Sequence, residues 1–260
     1  MLEYILNDHI FVSYTCPYLW FIGAAFVLFL EVILDIKAPY GRYNTTNSGI
    51  PVRLAWFIQE LPSFVIPCYI LYNNWSSISI TKLIIISFFL IHYFQRVFIY
   101  PMLIRGGKHS SYLTTILAFI FCSLNAYSIA EELIVYHIYP NNYLFSLRFL
   151  IGTILFFTGF ILNLQSDAIL RNLRKDNSQR DYQIPRGGLF EYVSGANFLA
   201  ESIEWTGYAI CAGTLPAIAF SVFTWANTAF GRGIHHHKFY LEKFRDEYPK
   251  NRKAIIPFIL

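Results

Sequence analysis

The sequence predicts an all-α, polytopic membrane protein with seven transmembrane helices, and three observations support this fold class. Of the 260 residues, 55% are hydrophobic and only 14% are charged, which lies outside the usual balance of a soluble domain. Seven apolar stretches approach the roughly 20 residues that a helix needs to span the hydrocarbon core. Basic residues concentrate in alternate connections between these stretches, as they do in cytoplasmic loops.

The seven apolar stretches are separated by short polar connections. They cover residues 12–34, 54–72, 83–104, 112–135, 143–170, 196–212 and 214–230. The first has no basic flank and no small-residue cleavage site, so we expect a retained helix and not a signal peptide. The last two are interrupted by Glu201, Glu204, Gly207 and Pro216, which leaves re-entrant or interfacial segments as an alternative for that region.

Basic residues follow the first, third, fifth and seventh stretches. They are Lys37, Arg42 and Arg53; Arg105 and Lys108; Arg174, Lys175, Arg180 and Arg186; and those between Arg232 and Lys253. The loops at 73–78, at 136–142 and around 213 contain no Lys or Arg. This alternation predicts an N-terminus outside and a C-terminus in the cytoplasm. The same loops account for most of the net charge of +4, so we expect no nucleic acid partner.

The cysteines and the histidine run do not predict a metal site. Cys16, Cys68, Cys122 and Cys211 all fall within apolar stretches and show no ligand spacing, so neither a disulfide nor zinc is expected. The three successive histidines 235–237 would point about 100° apart on a helix and could not chelate one ion together. We therefore expect no metal cofactor.

Several ionisable residues lie inside the apolar stretches, where an ionised carboxylate costs about 2.5 to 3.5 kcal/mol. Glu60 interrupts the run 54–71 and is a functional-site hypothesis for that reason, the alternative being an acid that snorkels to a span end. In the third stretch, His92 and Arg96 share a face at a spacing of four residues. For Arg96 alone, we favour snorkelling toward the cytoplasmic loop over a ligand-binding role.

Two further segments carry stripes of polar residues at helical spacing. The end of the fifth stretch has Asn163, Asp167, Arg171 and Arg174, and the sixth has Asn197, Glu201, Glu204 and Tyr208. An Asp167–Arg171 contact could be only a helix salt bridge. Two acids one turn apart at membrane depth instead favour a polar cavity between helices. The basic, aromatic segment 231–260 could bind anionic lipid or cover a cavity that holds a phosphate-bearing ligand.

These motifs together resemble the steroid 5α-reductase family over nearly the whole chain. The resemblance is most specific in residues 184–198, 201–208, 235–240 and 248–258. In the N-terminal half it includes the segments 40–43, 59–62 and 92–94. More distant relatives, which include enoyl-CoA reductases and membrane methyltransferases, share mainly the C-terminal half of the pattern.

The resemblance implies NADPH-dependent reduction of the Δ4 double bond of a 3-oxo-Δ4 steroid of the testosterone or progesterone type. Hydride addition to C5, the β-carbon of the enone, requires a proton donor at the ketone oxygen. Glu60 and Tyr93 match the family's catalytic residues and are expected to polarise that ketone. A carboxyl group in an apolar cavity can stay protonated at neutral pH, which suits this role. Trp56, one turn before Glu60, is expected to form a wall for the flat substrate.

The resemblance also implies a set of residues that bind NADPH. They are Arg105, Asn163, Asp167, Arg171, Arg174, Tyr182, Asn197, Glu201, Arg232, His236 and Tyr240. Arginine pairs with the phosphates, including the 2′-phosphate, while amides and carboxylates contact the ribose and the nicotinamide. No Gly-x-Gly-x-x-Gly motif follows a strand, so the dinucleotide is expected between helices. Gln183 and Ile104 depart from the family pattern and weaken the transfer of those two contacts.

We expect one membrane domain over residues 1–260, in which 1–110 form the substrate half and 111–260 the cofactor half. A monomer is expected, in the endoplasmic reticulum of a eukaryote or the inner membrane of a bacterium, with the cofactor site facing the cytoplasm. Three alternatives remain at this stage. They are a reductase of another conjugated lipid such as a polyprenal or an enoyl thioester, a membrane methyltransferase, and a non-catalytic lipid transporter that relays ions through its intramembrane acids.

Overall fold

The computed structural model describes residues 2–38, 43, 49–173 and 182–260, and these residues form helices and loops without a β-strand. The helices are α1 (Leu2–Ile10), α2 (Cys16–Leu28), α3 (Val52–Asn73), α4 (Ile80–Phe94), α5 (Tyr100–Leu103), α6 (Tyr112–Glu131), α7 (Leu147–Asn172), α8 (Ala196–Ala212), α9 (Leu215–Thr224) and α10 (Ile234–Phe244). The all-α class predicted from the sequence is therefore confirmed.

Several of these helices are joined end to end through π-helical turns. Phe11–Thr15 connects α1 to α2, Gln95–Ile99 connects α4 to α5, and Trp225–Gly233 connects α9 to α10. A π-turn shifts the helical face by one extra residue and occurs often at functional sites. The turn at Gln95–Ile99 places the polar side chains of Gln95 and Arg96 inside the protein, where both are buried.

Five helical stretches within the described residues are long and apolar enough to cross a membrane. They are Leu6–Ile33, Val52–Asn73, Ile80–Leu103, Tyr112–Tyr136 and Leu147–Asn172. Their outer surfaces carry exposed large apolar side chains, such as Ile22 and Ile154, which is the surface that lipid tails would solvate. The sixth and seventh predicted spans fall on α8 and on α9 with its π-turn, and the count of seven stays a prediction.

Helices α7 and α8 approach each other closely, and glycine makes that approach possible. A Cβ atom built on Gly159 of α7 would lie 2.3 Å from the backbone nitrogen of Glu204, and one built on Gly207 of α8 would lie 2.2 Å from that of Phe156. Small residues let helix backbones pack in this way inside membranes. The two polar stripes predicted from the sequence are therefore brought face to face.

An aromatic cluster centred on Trp205 of α8 fills the interior between α4, α8 and α9. Its ring centroid lies 4.5 Å from that of His92, 4.6 Å from that of Phe220 and 5.6 Å from that of Phe89. Trp205 is buried, and aromatic pairs at these separations add about 0.5 to 1.5 kcal/mol each beyond area burial. The cluster fixes α4 against α8 next to the polar residues described below.

The C-terminal segment is fastened to the start of α8. The amide of Ser194 donates to the carbonyl of Lys253 at 2.8 Å, and the amide of Gly195 donates to that of Ala254 at 2.9 Å. Ile255 is fully buried and occupies space beside Gly195 and Gly233 that a Cβ atom would fill. The C-terminal segment, residues 231–260, which we call the tail, therefore packs as part of the folded protein at the end that carries Arg105 and Tyr182.

Candidate active site

Glu60 lies inside the helix bundle, on the face of α3 that meets α6. Its carboxylate oxygen is 3.8 Å from the sulfur of Cys122 on α6. Arg96, His92 and Glu201 are all close enough for their charges to act on it. These neighbours come from three other helices, so Glu60 is not a side chain that snorkels to a span end.

Tyr93 faces the same region from α4 and is buried. Its hydroxyl group lies within electrostatic reach of Glu60 and Cys122. Its ring packs against Phe89, with centroids 4.6 Å apart, and this contact restricts the rotation of the ring. The structure therefore brings Glu60 and Tyr93 together from two helices.

A buried pair of His92 and Glu204 lies beside Tyr93. The Nδ1 atom of His92 is 2.6 Å from the Oε1 atom of Glu204, and both side chains are buried. The other carboxylate oxygen of Glu204 has no hydrogen-bond partner among the described residues. A buried carboxylate requires such a partner to offset its desolvation. The pair connects α4 to α8 next to the ring of Tyr93.

Arg96 occupies the centre of the polar region. Its guanidinium lies 3.3 Å from Asp167 of α7. The guanidinium carbon is 4.7 Å from the ring centre of Trp56 and 4.4 Å from that of Tyr100. The expectation that Arg96 snorkels to the cytoplasmic loop is wrong, because its planar cation is held between two rings and a carboxylate.

Asp167 and Trp56 make contacts in the structure that were not expected from the sequence. Asp167 forms its ion pair with Arg96 on another helix, so it does more than support its own helix through Arg171. Trp56 contacts Arg96 and Tyr100, the latter with ring centroids 5.0 Å apart. Its ring therefore forms part of the support for the guanidinium, next to the Glu60 region.

A cavity of about 250 Å³ opens beside this cluster at the end of α7. Six of the predicted cofactor residues line it, together with the two positions that depart from the family pattern: Arg105, Asp167, Arg171, Tyr182, Asn197 and Tyr240, with Ile104 and Gln183. Asn163 lies one layer behind, where its side-chain amide donates to the carbonyl of Asn197 at 3.0 Å. Glu201 interacts electrostatically with Asp167, between the cavity and Glu60.

Two further predicted cofactor residues, Arg232 and His236, do not line this cavity, and a third falls on a residue that the structure does not describe. Arg232 lies near Glu31 of the first helical stretch and interacts with its charge. The ring of His236 packs edge-on against Phe198 at 5.0 Å. Arg174 lies outside the described residues.

Comparisons with known proteins identify the family of the chain. The family described as 3-oxo-5-alpha-steroid 4-dehydrogenase matches residues 108–260. The chain belongs to this family. The 3-oxo-5-alpha-steroid 4-dehydrogenase 1 of Mus musculus is 43% identical over 240 residues, which cover 91% of this chain and 92% of the mouse protein. The 3-oxo-5-alpha-steroid 4-dehydrogenase 2 of Homo sapiens is 45% identical over 244 residues, which cover 91% and 94%.

The family assignment rests partly on the C-terminal segment, and that segment shapes the rim of the cavity. Tyr240 of α10 stacks on Tyr248, with ring centroids 5.4 Å apart and planes 5° from parallel. Lys243 places its ammonium 4.9 Å from the ring centre of Tyr182. The tail thereby holds two cavity-lining tyrosines from the side opposite to α7.

Two titratable groups help to hold the tail. The Nδ1 atom of His237 lies 2.6 Å from the hydroxyl oxygen of Ser194, and burial lowers the pKa of this histidine below its ordinary value of 6.5. Glu191 accepts a hydrogen bond from the amide of Gly187 at 2.6 Å. That bond, with the nearby Arg252 and Arg186, lowers the pKa of Glu191. Protonation of His237 would therefore weaken docking of the tail as the pH falls, and protonation of Glu191 would weaken its 3.8 Å contact with Arg252 of the tail.

Four residues of the cluster were absent from the predicted site: Cys122, His92, Arg96 and Glu204. Three of them are ionisable residues within apolar stretches, and that feature alone could have placed them in the site. Cys122 carried no comparable signal, because a cysteine in an apolar helix is most often a packing residue. Among the described residues, no group of three or more His, Cys, Asp or Glu side chains could hold a metal ion.

Proposed function

We propose that the chain is an NADPH-dependent steroid 5α-reductase that reduces the Δ4 double bond of 3-oxo-Δ4 steroids. The observation that supports this most directly is that Glu60 and Tyr93 lie within electrostatic reach of each other inside an apolar bundle, although they come from two different helices. Relatives that are named for this activity match more than nine-tenths of the chain. The substrate is membrane-soluble, which agrees with a reaction site between transmembrane helices.

In the proposed reaction, the side chains of this chain act on the ketone end of the enone. Glu60 in its protonated form and the hydroxyl of Tyr93 donate hydrogen bonds to the 3-ketone oxygen, where negative charge develops. Bound NADPH supplies the hydride that is added to C5. The aromatic cluster and Cys122 exclude water from this point, which strengthens both hydrogen bonds.

The residues around the cavity at the end of α7 fit a phosphorylated dinucleotide. Arg105 and Arg171 provide cations for phosphate oxygens, and Asn197 provides an amide for the ribose or the nicotinamide. A volume of about 250 Å³ is below the roughly 300 to 1,000 Å³ of complete ligand sites. We infer that the cavity takes one part of the cofactor and that the rest extends toward Glu201 and Glu60.

The decisive experiment is an assay of detergent-purified protein with NADPH and testosterone or progesterone, in which the 5α-reduced product is detected by mass spectrometry. We expect product from the wild type and a fall of at least 100-fold in the single-turnover rate for each of two variants. Tyr93→Phe removes a hydrogen-bond donor, and Glu60→Gln replaces an acidic proton by a much less acidic amide N–H. Glu242→Gln changes an exposed carboxylate on α10 in the same way and should leave the rate unchanged.

Each outcome of this assay has a distinct meaning. Near-normal single-turnover rates in well-folded Glu60→Gln and Tyr93→Phe would refute their proposed roles. Protein that binds NADPH but leaves both steroids unchanged would indicate a reductase of another conjugated lipid. Equal efficiency with NADH would refute a contact of Arg105 or Arg171 with the 2′-phosphate, which is the only group that distinguishes NADPH from NADH.

We also propose seven crossings, with the N-terminus outside and the cofactor cavity facing the cytoplasm. Two basic residues at the proposed outer end, Lys82 and Arg148, do not contradict this orientation. Lys82 donates to the carbonyl of Ile134 at 2.8 Å and Arg148 to that of Ile210 at 3.0 Å. Each satisfies a carbonyl near a helix end, which explains basic side chains there.

A matched pair of cysteine variants tests the orientation. Arg186→Cys lies beside the cavity, and Ser76→Cys lies in the connection between α3 and α4; both parent residues are exposed. In sealed vesicles of known sidedness, an impermeant thiol reagent should reach the first only from the cytoplasmic side and the second only from the opposite side. Labelling of both from one side would refute an odd number of crossings between them.

A further inference from the structure

A second cavity lies at the opposite end of the bundle from Arg105 and has no role in the proposed reaction so far. Its volume is about 580 Å³, and it lies between α3 and α6. This volume is within the roughly 300 to 1,000 Å³ of small-molecule sites. Tyr69, one of its lining residues, is 65% exposed, so the cavity opens on the outer surface of two membrane-crossing helices.

The lining of this cavity changes from apolar to polar along the helix axes. Ile66, Ile70 and Leu124 line its inner part, while Asn73 and Glu131 line it near the helix ends. An amphipathic molecule with one polar end matches this gradient, with its apolar body directed into the bundle. A phospholipid tail alone would leave the polar groups at the helix ends without a partner.

The cavity and the proposed reaction site lie on the same two helices, α3 and α6. Ser123 and Leu124 line the cavity, and the preceding residue, Cys122, contacts the Glu60 carboxylate at 3.8 Å. On α3, Ile66 follows Glu60 by six residues, which corresponds to about 9 Å along the helix. Helices α3 and α6 therefore carry both the proposed reactive acid and the lining of the cavity.

The polar end of the cavity has an acid that is available for an occupant. Asp8 is already engaged, because its two carboxylate oxygens accept hydrogen bonds from Tyr127 at 2.5 Å and from Tyr136 at 2.6 Å. Glu131 forms no hydrogen bond or ion pair within the described part of the chain. Glu131 is the last residue of α6, so its carboxyl group can accept a hydrogen bond from a polar occupant at this end of the cavity.

We propose that the cavity between α3 and α6 is a vestibule through which the steroid substrate passes from the bilayer to Glu60. The polar substituent of the steroid faces Glu131 and Asn73 while the fused rings occupy the space beside Leu124. This inference rests on the proposed function, since it assigns an access route to the same reaction site.

Obstruction of the vestibule tests the route. Ser123→Trp places a large side chain in the cavity, and Ile154→Trp, at an exposed position in the middle of α7, is the matched control. We expect kcat/KM for testosterone to fall at least tenfold in Ser123→Trp and less than twofold in Ile154→Trp. When the enzyme is equilibrated with steroid before NADPH is added, the single-turnover rate of Ser123→Trp should stay within twofold of wild type.

Labelling gives a second readout that does not depend on turnover. Three native cysteines are buried and Cys68 is partly exposed, so Ser123→Cys is made in a Cys68→Ser background. Saturating testosterone should slow the reaction of Ser123→Cys with a membrane-permeant maleimide at least threefold. Glu131→Leu should raise the testosterone concentration for half-protection by about five- to tenfold, because a charge-assisted hydrogen bond is lost.

The outcomes separate the vestibule from the underlying function. Wild-type protein that reduces no steroid refutes the proposed function. Active wild-type protein without steroid protection of Ser123→Cys refutes the vestibule alone, as does an unchanged kcat/KM in Ser123→Trp. A single-turnover rate that falls in parallel with kcat/KM shows an effect on the reaction site itself and also refutes the vestibule.

Discussion

Replacement of Gly159 by alanine tests whether the close approach of α7 to α8 positions the residues proposed to bind the cofactor. The new Cβ atom would lie 2.3 Å from the nitrogen of Glu204, whereas ordinary contact begins at 3.4 Å. The helices must therefore separate by about 1.1 Å, since the contact is with backbone that cannot rotate away. Overpacking of this kind costs about 1 to 3 kcal/mol.

The separation has a consequence for the cofactor cavity that is larger than the loss of stability. The hydrogen bond from Asn163 of α7 to the carbonyl of Asn197 of α8 is 3.0 Å long, and an increase of about 1.1 Å would break it. We expect Gly159→Ala to lower the melting temperature in detergent and to weaken NADPH binding at least tenfold, as measured by fluorescence of the bound nicotinamide.

The control is Gly23→Ala in α2, where the new Cβ atom would meet only the ring edge of Phe223 at 3.3 Å. Alanine is a better helix former than glycine by about 0.5 to 1 kcal/mol, so this variant should match or exceed the stability of the wild type. If Gly159→Ala had wild-type stability and wild-type NADPH affinity, the inference that glycine sets the α7–α8 distance for cofactor binding would be refuted.

Three further predictions concern the charges around the site. Arg96→Met leaves Asp167 buried without its partner and should cost about 3 to 5 kcal/mol, whereas adding Asp167→Asn should restore most of the melting temperature. Arg171→Gln should reduce the preference for NADPH over NADH at least tenfold, as measured by the ratio of the two kcat/KM values. The pKa of His237 is lowered in the docked tail, so the free energy of docking is most favourable above the ordinary pKa of 6.5 and weakens as the pH falls below it. Proteolysis of the tail should therefore increase at pH 5.5 in the wild type. His237→Gln should remove that pH dependence.

The sequence predicted the helical class and the polar stripes because both depend on local periodicity. Asn163, Asp167 and Arg171 recur at a spacing of four, so their common face could be inferred without knowing what it meets. The partner of a stripe depends instead on packing between distant segments. Asp167 pairs with Arg96, 71 residues away, and His92 pairs with Glu204, 112 residues away. Neither pairing leaves a signal in the spacing of residues.

The snorkelling interpretation of Arg96 was wrong for a related reason. Position along an apolar stretch suggested that the side chain could reach the cytoplasmic surface, since Arg105 follows soon after. The π-turn at Gln95–Ile99 turns the side chain inward instead, and Trp56 and Tyr100 enclose its cation. A π-turn arises from tertiary context and has no dependable sequence signature, so this feature required the structure.

The charges around Arg96 suggest how the proposed cofactor is oriented. The cavity carries Arg105 and Arg171, whereas the carboxylate of Glu201 lies within electrostatic reach of both Arg96 and Glu60. Phosphates are favoured beside the two arginines, and the nicotinamide ring, which becomes positively charged on oxidation, is favoured beside Glu201. We therefore propose that the hydride-donating end of the cofactor is directed toward Glu60 and Tyr93. The arrangement of charges therefore supports one direction of cofactor binding over its reverse, and that direction brings the proposed donor and the steroid to the same point.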